Sequence, residues 1–314
     1  VSRVISRKDI VKSETAEKVL AAMEELQYEP ENYASRKQKK TYVIAVIIPD
    51  LADQFFTMLV KGIEDECRLH GYSLLLSSTN NSETQEQETI SLTATKDIDG
   101  AILVPVSTER KALARFDDNK IHYIFLDRTI DGPPIGSVVS DDEEGSYQAT
   151  KYLLDLGHKN ILYIGGENNF STERNRLKGF KRALRDHETS INPNLIRESS
   201  FHYEEAFRET LSVLQEGHDF SSIFAANDLI ALGAKAAVEK YGKLIPEDIS
   251  LIGYGDIPTA EYLSLTTVSM PVYEMGKNAF LLLLDYIQNR LDTPKQIVLR
   301  PSIVFRSTCK RYSK

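Results

Sequence analysis

From Tyr42 onward the chain alternates short aliphatic runs with longer amphipathic stretches. The runs are Val43 to Ile48, Ser73 to Leu76, Ala101 to Val104, Tyr123 to Leu126, Ser137 to Val139, Ile161 to Ile164, Ile223 to Ala225 and Ile249 to Gly253. Most are near-continuously apolar, as strands of a parallel sheet covered on both faces are, and most are followed by a stretch of helical period. Between the first two runs, Phe56, Leu59, Val60, Ile63 and Cys67 recur at helical spacing, and Gly71 supplies a C-terminal stop. Strand and helix in repeated alternation predict parallel sheets covered on both faces, with ligands beyond the carboxyl ends of the strands.

Two such sets succeed one another, one before about His158 and one after it. A long apolar helix, Val272 to Arg290, precedes a final strand near Ile297 to Phe305. The pattern predicts two doubly wound α/β lobes with a cleft between them. The first takes about 42–159 plus 272–292, the second about 160–271 plus 293–308. Before Tyr42 the pattern differs. Val19, Leu20, Met23 and Leu26 share one helix face, Ser13 is placed to cap it, and Tyr28-Glu29-Pro30 ends it. That helix has too little apolar surface to fold alone.

The 314 residues exceed one compact core, and 41% hydrophobic with 27% charged residues is ordinary for a globular protein. No run approaches the roughly 20 apolar residues of a membrane span. The net charge of −8 conceals an asymmetry: residues 1–41 carry nine Lys/Arg against seven Asp/Glu, four of the nine within Arg36 to Lys40. A short basic segment on an acidic body fits local binding to a phosphate backbone, and a solvated linker is the alternative. A charged start with neither Met nor an apolar signal region leads us to expect a cytoplasmic protein trimmed at its N-terminus. Two cysteines, Cys67 and Cys309, are expected as reduced structural thiols.

Catalytic signals are poor. The sequence has no phosphate-binding loop, no dinucleotide fingerprint and no nucleophile elbow, so Ile164-Gly165-Gly166 is expected to be a tight turn. The six histidines have no metal-ligand spacing, His158 is expected in a loop, and neither metal nor cofactor is expected. Strand ends do offer groups suited to a polyhydroxylated ligand. They are Asp50 to Phe56 after the first strand, Asp127-Arg128 after the fourth, Asn227-Asp228, and Gly253-Tyr254-Gly255-Asp256. Carboxylates bridge hydroxyls, guanidinium forks donate in pairs, and aromatic rings cover an apolar sugar face. Helix capping is the competing role for Asn227 and Asp228.

The order of short motifs along the chain resembles the lactose/galactose repressor family. They include Val1-Ser2-Arg3-Val4, Leu26-Gln27-Tyr28-Glu29-Pro30, Ile47-Ile48-Pro49-Asp50, His70-Gly71-Tyr72 and Leu126-Asp127-Arg128. Leu156-Gly157-His158, Phe224-Ala225-Ala226-Asn227-Asp228 and Ile245-Pro246-Glu247-Asp248 continue the series. The resemblance implies a partial helix-turn-helix headpiece at 1–31, a hinge at 32–41, and an effector-binding and dimerisation body at 42–308 that resembles periplasmic sugar-binding proteins. It implies a transcription regulator, not an enzyme, working as a homodimer on operator DNA. The effector would be a small sugar, sugar acid or sugar phosphate, and a phosphocarrier protein is an admissible corepressor. The implied DNA contacts are Ser2, Arg3, Asn32, Ala34, Arg36 and Lys37, with Val1 to Ser6 as the later part of a recognition helix.

The implied effector contacts are Asp53, Phe55, Asp127, Arg128, Arg176, Phe201, Asn227 and Asp256. Three positions depart from the family pattern. Gln38 stands where an apolar wedge enters the minor groove, Gly255 where a carboxylate is usual, and Met270 where Gln is common. A lost carboxylate beside two retained arginines leads to the expectation that an acidic or phosphorylated sugar binds better than its neutral parent. A transport-type sugar-binding protein of the same fold, without DNA binding, is the alternative reading.

Overall fold

The computed structural model describes residues 13–25 and 40–313. The chain forms two units, Val1–Thr41 and Tyr42–Lys314. In the first unit, helix α1 (Ser13–Glu25) buries Met23, and Lys18 donates to Glu14 one turn earlier at 2.9 Å. Hinge residues 32–39, among them Asn32, Ala34, Arg36 and Lys37, and the upstream Ser2 and Arg3 lie outside the described residues.

The second unit runs β1 (Val43–Ile48), α2 (Gln54–Leu69), β2 (Ser73–Ser78), α3 (Glu83–Thr93), β3 (Gly100–Leu103), α4 (Ala114–Asp118), β4 (His122–Leu126), β5 (Ser137–Ser140) and α5 (Asp142–Asp155). It continues with β6 (Ile161–Gly165), α6 (Ser171–Asp186), β7 (Ile196–Glu198), α7 (Tyr203–Gln215), β8 (Ser222–Ala225), α8 (Asp228–Lys240), β9 (Ser250–Gly255), α9 (Pro258–Tyr262) and β10 (Thr266–Ser269). Helix α10 (Val272–Ile287) and strands β11 (Gln296–Leu299) and β12 (Ser302–Val304) complete it.

Two six-stranded sheets result, ordered β11-β5-β4-β3-β1-β2 and β12-β10-β9-β8-β6-β7. Every pairing is parallel except β10 with β12. Strand β1 explains why the apolar runs are continuous. Ile44, Val46 and Ile48 pack with Leu59, Ile63 and Phe280 on one face, while Ala45 and Ile47 pack with Ile90, Phe116 and Phe125 on the other.

The lobe boundaries differ from the sequence expectation in two places. Helix α5, expected in the first lobe, packs on α6 and touches β8, β10 and β12, so the chain changes lobe at 140–142 and not near 159. The expected final strand is two strands in different sheets. Gln296–Leu299 pairs with β5 in the first lobe, and Ser302–Val304 with β10 in the second. Pro301 breaks the run, because it has no N–H to continue a ladder and restrains Arg300 before it. The chain also returns from the second lobe to the first at 269–272, between β10 and α10. Strands β7 and β10 had no period long enough to mark them in the sequence.

Candidate functional site

A cleft with a cavity volume of about 200 Å³, partly open to solvent, lies at the carboxyl ends of the strands of both sheets. Its first wall comes from the lobe built on β1 and β4. Asp53 caps α2, accepting from the Phe55 amide at 2.9 Å, and burial raises its carboxyl pKa. The cap sets Phe55 and Phe56 side by side, edge to face at 5.3 Å. Asp127 follows β4 at φ 65, a left-handed conformation rare for a residue with a Cβ and concentrated at functional sites. Burial, then the charge of Asp142, pushes its carboxyl up to about 6. Its Oδ1 is buried without a hydrogen-bond partner, as are Nε and Nη1 of Arg128 beside it. Arg128 Nε lies 3.8 Å from Asp127 Oδ2, so the pair presents acceptor and donors together.

The second wall covers that pair with aromatic rings. The Arg128 guanidinium stands 4.1 Å from the centre of Phe170 and 5.3 Å from Phe201. Phe201 lies flat against Gly166, where a Cβ would meet its ring at 2.1 Å, so the Gly165-Gly166 turn serves close approach and not a nucleotide. Buried Glu173 holds this turn, accepting from the Gly166 amide at 2.9 Å and the Tyr163 hydroxyl at 2.6 Å. Burial pushes its carboxyl up to about 7. Asn227 caps α8, its Oδ1 accepting from the Ile230 amide at 2.7 Å while Nδ2 donates to the Phe201 carbonyl at 3.3 Å. It lines the cleft and also does the capping that competed with a ligand role.

Arg176, in the first turns of α6, is 5% exposed and lines the cleft floor. Its Nε donates to Asp142 Oδ1 at 2.9 Å, Nη1 donates to the Ala226 carbonyl at 2.8 Å, and Nη2 faces Met270 Sδ at 3.9 Å. The guanidinium lies 4.1 Å from the centre of the Tyr254 ring. Burial disfavours its charge, but Asp142, Tyr254 and Asp127 outweigh that and raise its pKa.

Seven of the eight effector contacts implied by resemblance, Asp53, Phe55, Asp127, Arg128, Arg176, Phe201 and Asn227, line this cleft. Asp256 does not. Gly255 at φ 133 and Asp256 at φ 57 turn the chain away from the site, and the Asp256 carboxylate accepts from Arg306 Nη2 at 2.7 Å. Asp228 reaches the cleft edge, but its oxygens accept from Thr267 Oγ1 at 2.6 Å and the Ile257 amide at 2.9 Å. Burial, the largest influence, raises its carboxyl to about 6. Sequence reasoning missed Asp142 and the ring of Phe170. The only signal for Asp142 was its place in the first turn of a helix directly after a strand.

Away from the cleft, His158 is buried, bonded to Ser221 Oγ at 2.9 Å and to the Lys310 carbonyl at 3.0 Å, so it fastens the C-terminal segment. Cys67 and Cys309 are free thiols pushed up to about 12 by burial, which makes them poor nucleophiles. Among the described residues, no cluster of three or more His, Cys, Asp or Glu could hold a metal, and no helix is long and apolar enough to cross a membrane.

Two doubly wound lobes joined by crossing segments, with an aromatic and charged cleft between them, define a two-lobed small-molecule-binding protein. Residues 41–307 match the family described as periplasmic binding proteins and sugar binding domain of LacI family, and residues 1–31 match bacterial regulatory proteins, lacI family. The HTH-type transcriptional repressor PurR of Vibrio vulnificus (strain CMCP6) is 34% identical over 99% of this chain and 94% of its own length. The ribose operon repressor of Halalkalibacterium halodurans is 32% identical over 96% and 91%. Among solved structures, a transcriptional regulator CelR–cellobiose complex superposes with TM-score 0.81 at 26% identity, covering 98% of this chain and 94% of that one. A LacI family regulator from Enterococcus faecium with bound ribose superposes with TM-score 0.79 at 28% identity, covering 86% and 100%. The chain belongs to the LacI family of bacterial regulatory proteins and is a DNA-binding transcriptional repressor governed by a small-molecule effector.

Proposed function

We propose that the interlobe cleft binds a small uncharged sugar of about the size of ribose, and that its binding changes the affinity of the repressor for operator DNA. The observation that carries this reading is the adjacent buried set of Asp127 Oδ1 with Arg128 Nε and Nη1, none of them hydrogen-bonded within the protein. Leaving such groups unpaired costs about 1–3 kcal/mol each, a cost recovered when neighbouring hydroxyls donate to the carboxylate and accept from the guanidinium. Phe55 and Phe201 supply the apolar cover. The earlier expectation of an acidic or phosphorylated sugar is disfavoured. Asp50, Asp53, Asp127, Asp228 and Glu204 face or rim the cleft against Arg128 and Arg176, and Arg176 is already paired with Asp142.

Contacts between the lobes connect occupancy to shape. Gln54 Oε1 in the first lobe accepts from the Thr259 amide at 3.2 Å and its hydroxyl at 2.9 Å in the second, and Ser171 Oγ accepts from the Thr129 amide at 2.9 Å. A ligand touching both walls favours the closed arrangement by its differential affinity for it. The operator contacts in this reading are Ser2, Arg3, Asn32, Ala34, Arg36 and Lys37, in a cytoplasmic homodimer whose cleft binds its ligand without turning it over. Exposed Leu69 and Leu75 on the first lobe and Tyr241 and Leu244 on the second support dimerisation through the lobes.

A planar aromatic base such as a purine is the second reading, favoured by the Phe55 and Phe201 rings that line the cleft. Thermal-shift and calorimetric titration with D-ribose, cellobiose, hypoxanthine and guanine separates the two. Saturable stabilisation by a sugar supports the first reading, by a base the second, and none by any of the four overturns both.

A further inference from the structure

Arg176 carries a formal positive charge into the cleft floor, yet its surroundings do not offer that charge to a ligand. Asp142 stands directly behind it, 2% exposed and 2.9 Å from Nε, and does not line the cleft itself. Tyr254 covers one face of the guanidinium and the Ala226 carbonyl takes an Nη1 proton. Of its five N–H groups, these contacts and Met270 Sδ occupy three, leaving two neutralised donors for the cleft. Asp127, Arg128, Asp142 and Arg176 are 5%, 6%, 2% and 5% exposed, so two buried carboxylates meet two buried guanidiniums. Burying an anion against this balanced set adds an uncompensated charge, whereas burying a hydroxyl does not.

We propose that Asp142 is a specificity-determining residue acting through Arg176. It cancels the guanidinium charge and holds its fork in place, so the cleft accepts uncharged hydroxyl-bearing ligands and discriminates against anionic analogues. This rests on the cleft being the effector site. Asp142 is a positioning residue, since it touches Arg176 and not the ligand. Its position also makes the role replaceable in part: an amide at 142 keeps an oxygen to accept from Arg176 Nε but removes the negative charge.

The test titrates wild type, Asp142→Asn and Asp142→Ser with D-ribose and with ribose 5-phosphate by calorimetry at fixed ionic strength. At short range and the effective dielectric of a protein interior, removing one charge is expected to shift the ratio of phosphate to neutral affinity toward the phosphate by about tenfold or more. Asp142→Glu is expected to keep the wild-type ratio. A merely structural Asp142 would weaken both ligands together, and an unchanged ratio in a folded variant overturns the proposal. Inorganic sulfate, followed by thermal shift, is the probe that needs no sugar: Asp142→Asn or Asp142→Ser gains saturable stabilisation that wild type lacks. If wild type binds no ribose, the effector reading fails for that ligand, while the sulfate comparison still decides the role of Asp142. Equal sulfate responses in wild type and both variants count against it.

Discussion

The guanidinium of Arg128 lies 4.1 Å from the centre of the Phe170 ring, so a cation on one lobe is covered by an aromatic ring on the other. Phe170 does not line the cleft itself, so the contact holds the Arg128 side chain from behind, against the cleft that its unpaired nitrogens face. A cation–π contact of this kind contributes about 0.5–2 kcal/mol. Phe170→Leu is therefore expected to weaken ribose binding by roughly threefold to thirtyfold while the protein stays folded. Calorimetry at one pH checks it, and an unaltered affinity would leave Phe170 with a packing role alone.

Asp127 gives the binding its own pH dependence. Its carboxyl is held near 6 in the free protein, and a hydroxyl that donates to it favours the ionised form. The complex therefore has the lower pKa, binding releases a proton below about pH 6, and affinity falls as pH drops through that value. Ribose is expected to bind about tenfold more weakly at pH 5 than at pH 7.5. Asp127→Asn should lose affinity overall and flatten the profile. A wild-type profile already flat over this range would remove Asp127 from the contact.

Stability should run the other way with pH. Glu173 is raised from 4.5 to about 7, and Asp228 from 3.8 to about 6, both chiefly by burial. A carboxyl with a raised folded-state pKa holds its proton more tightly when folded. Its stabilising contribution is complete below the unfolded pKa and is lost as pH rises through the folded one. The melting temperature should therefore fall between about pH 4.5 and pH 7, with Glu173 alone worth on the order of 3 kcal/mol. Glu173→Gln imitates the protonated group and should make the slope shallower. A melting temperature that rises across this window would show that ionised carboxylates dominate instead.

Much of this architecture was legible because parallel strands buried on both faces must be apolar throughout, as Val43 to Ile48 is. Strand ends then located Asp53, Asp127, Arg128 and Asn227 without knowledge of the fold. Lobe membership was less legible. Helix α5 has an amphipathic pattern that fits either lobe, and only its packing on α6 decides between them. The charge balance of the site was less legible for a similar reason. Gly255 and Asp256 suggested a missing carboxylate, but Asp142 lies 34 positions from Arg176 in sequence, a pairing that no local pattern predicts.

The Gly255 and Asp256 pair allows a last prediction with two opposite outcomes. Asp256 faces Arg306 and not the ligand, so Asp256→Asn should leave ribose affinity within about twofold, a range smaller than one hydrogen bond to a charged group. Gly255→Asp is different. The backbone there has φ 133, open to glycine but strained for any side chain, and a Cβ would stand 3.3 Å from Asp228 Oδ2. Backbone strain of about 1–3 kcal/mol adds to repulsion between two carboxylates. Gly255→Asp should lower unfolding stability in urea by at least about 1 kcal/mol, and Gly255→Ala should show the strain without the charge. If Gly255→Asp is as stable as wild type and binds the sugar more tightly, the backbone has relaxed and the position accepts a ligand-binding carboxylate. If Asp256→Asn loses affinity by tenfold or more, its carboxylate swings into the cleft when the ligand binds.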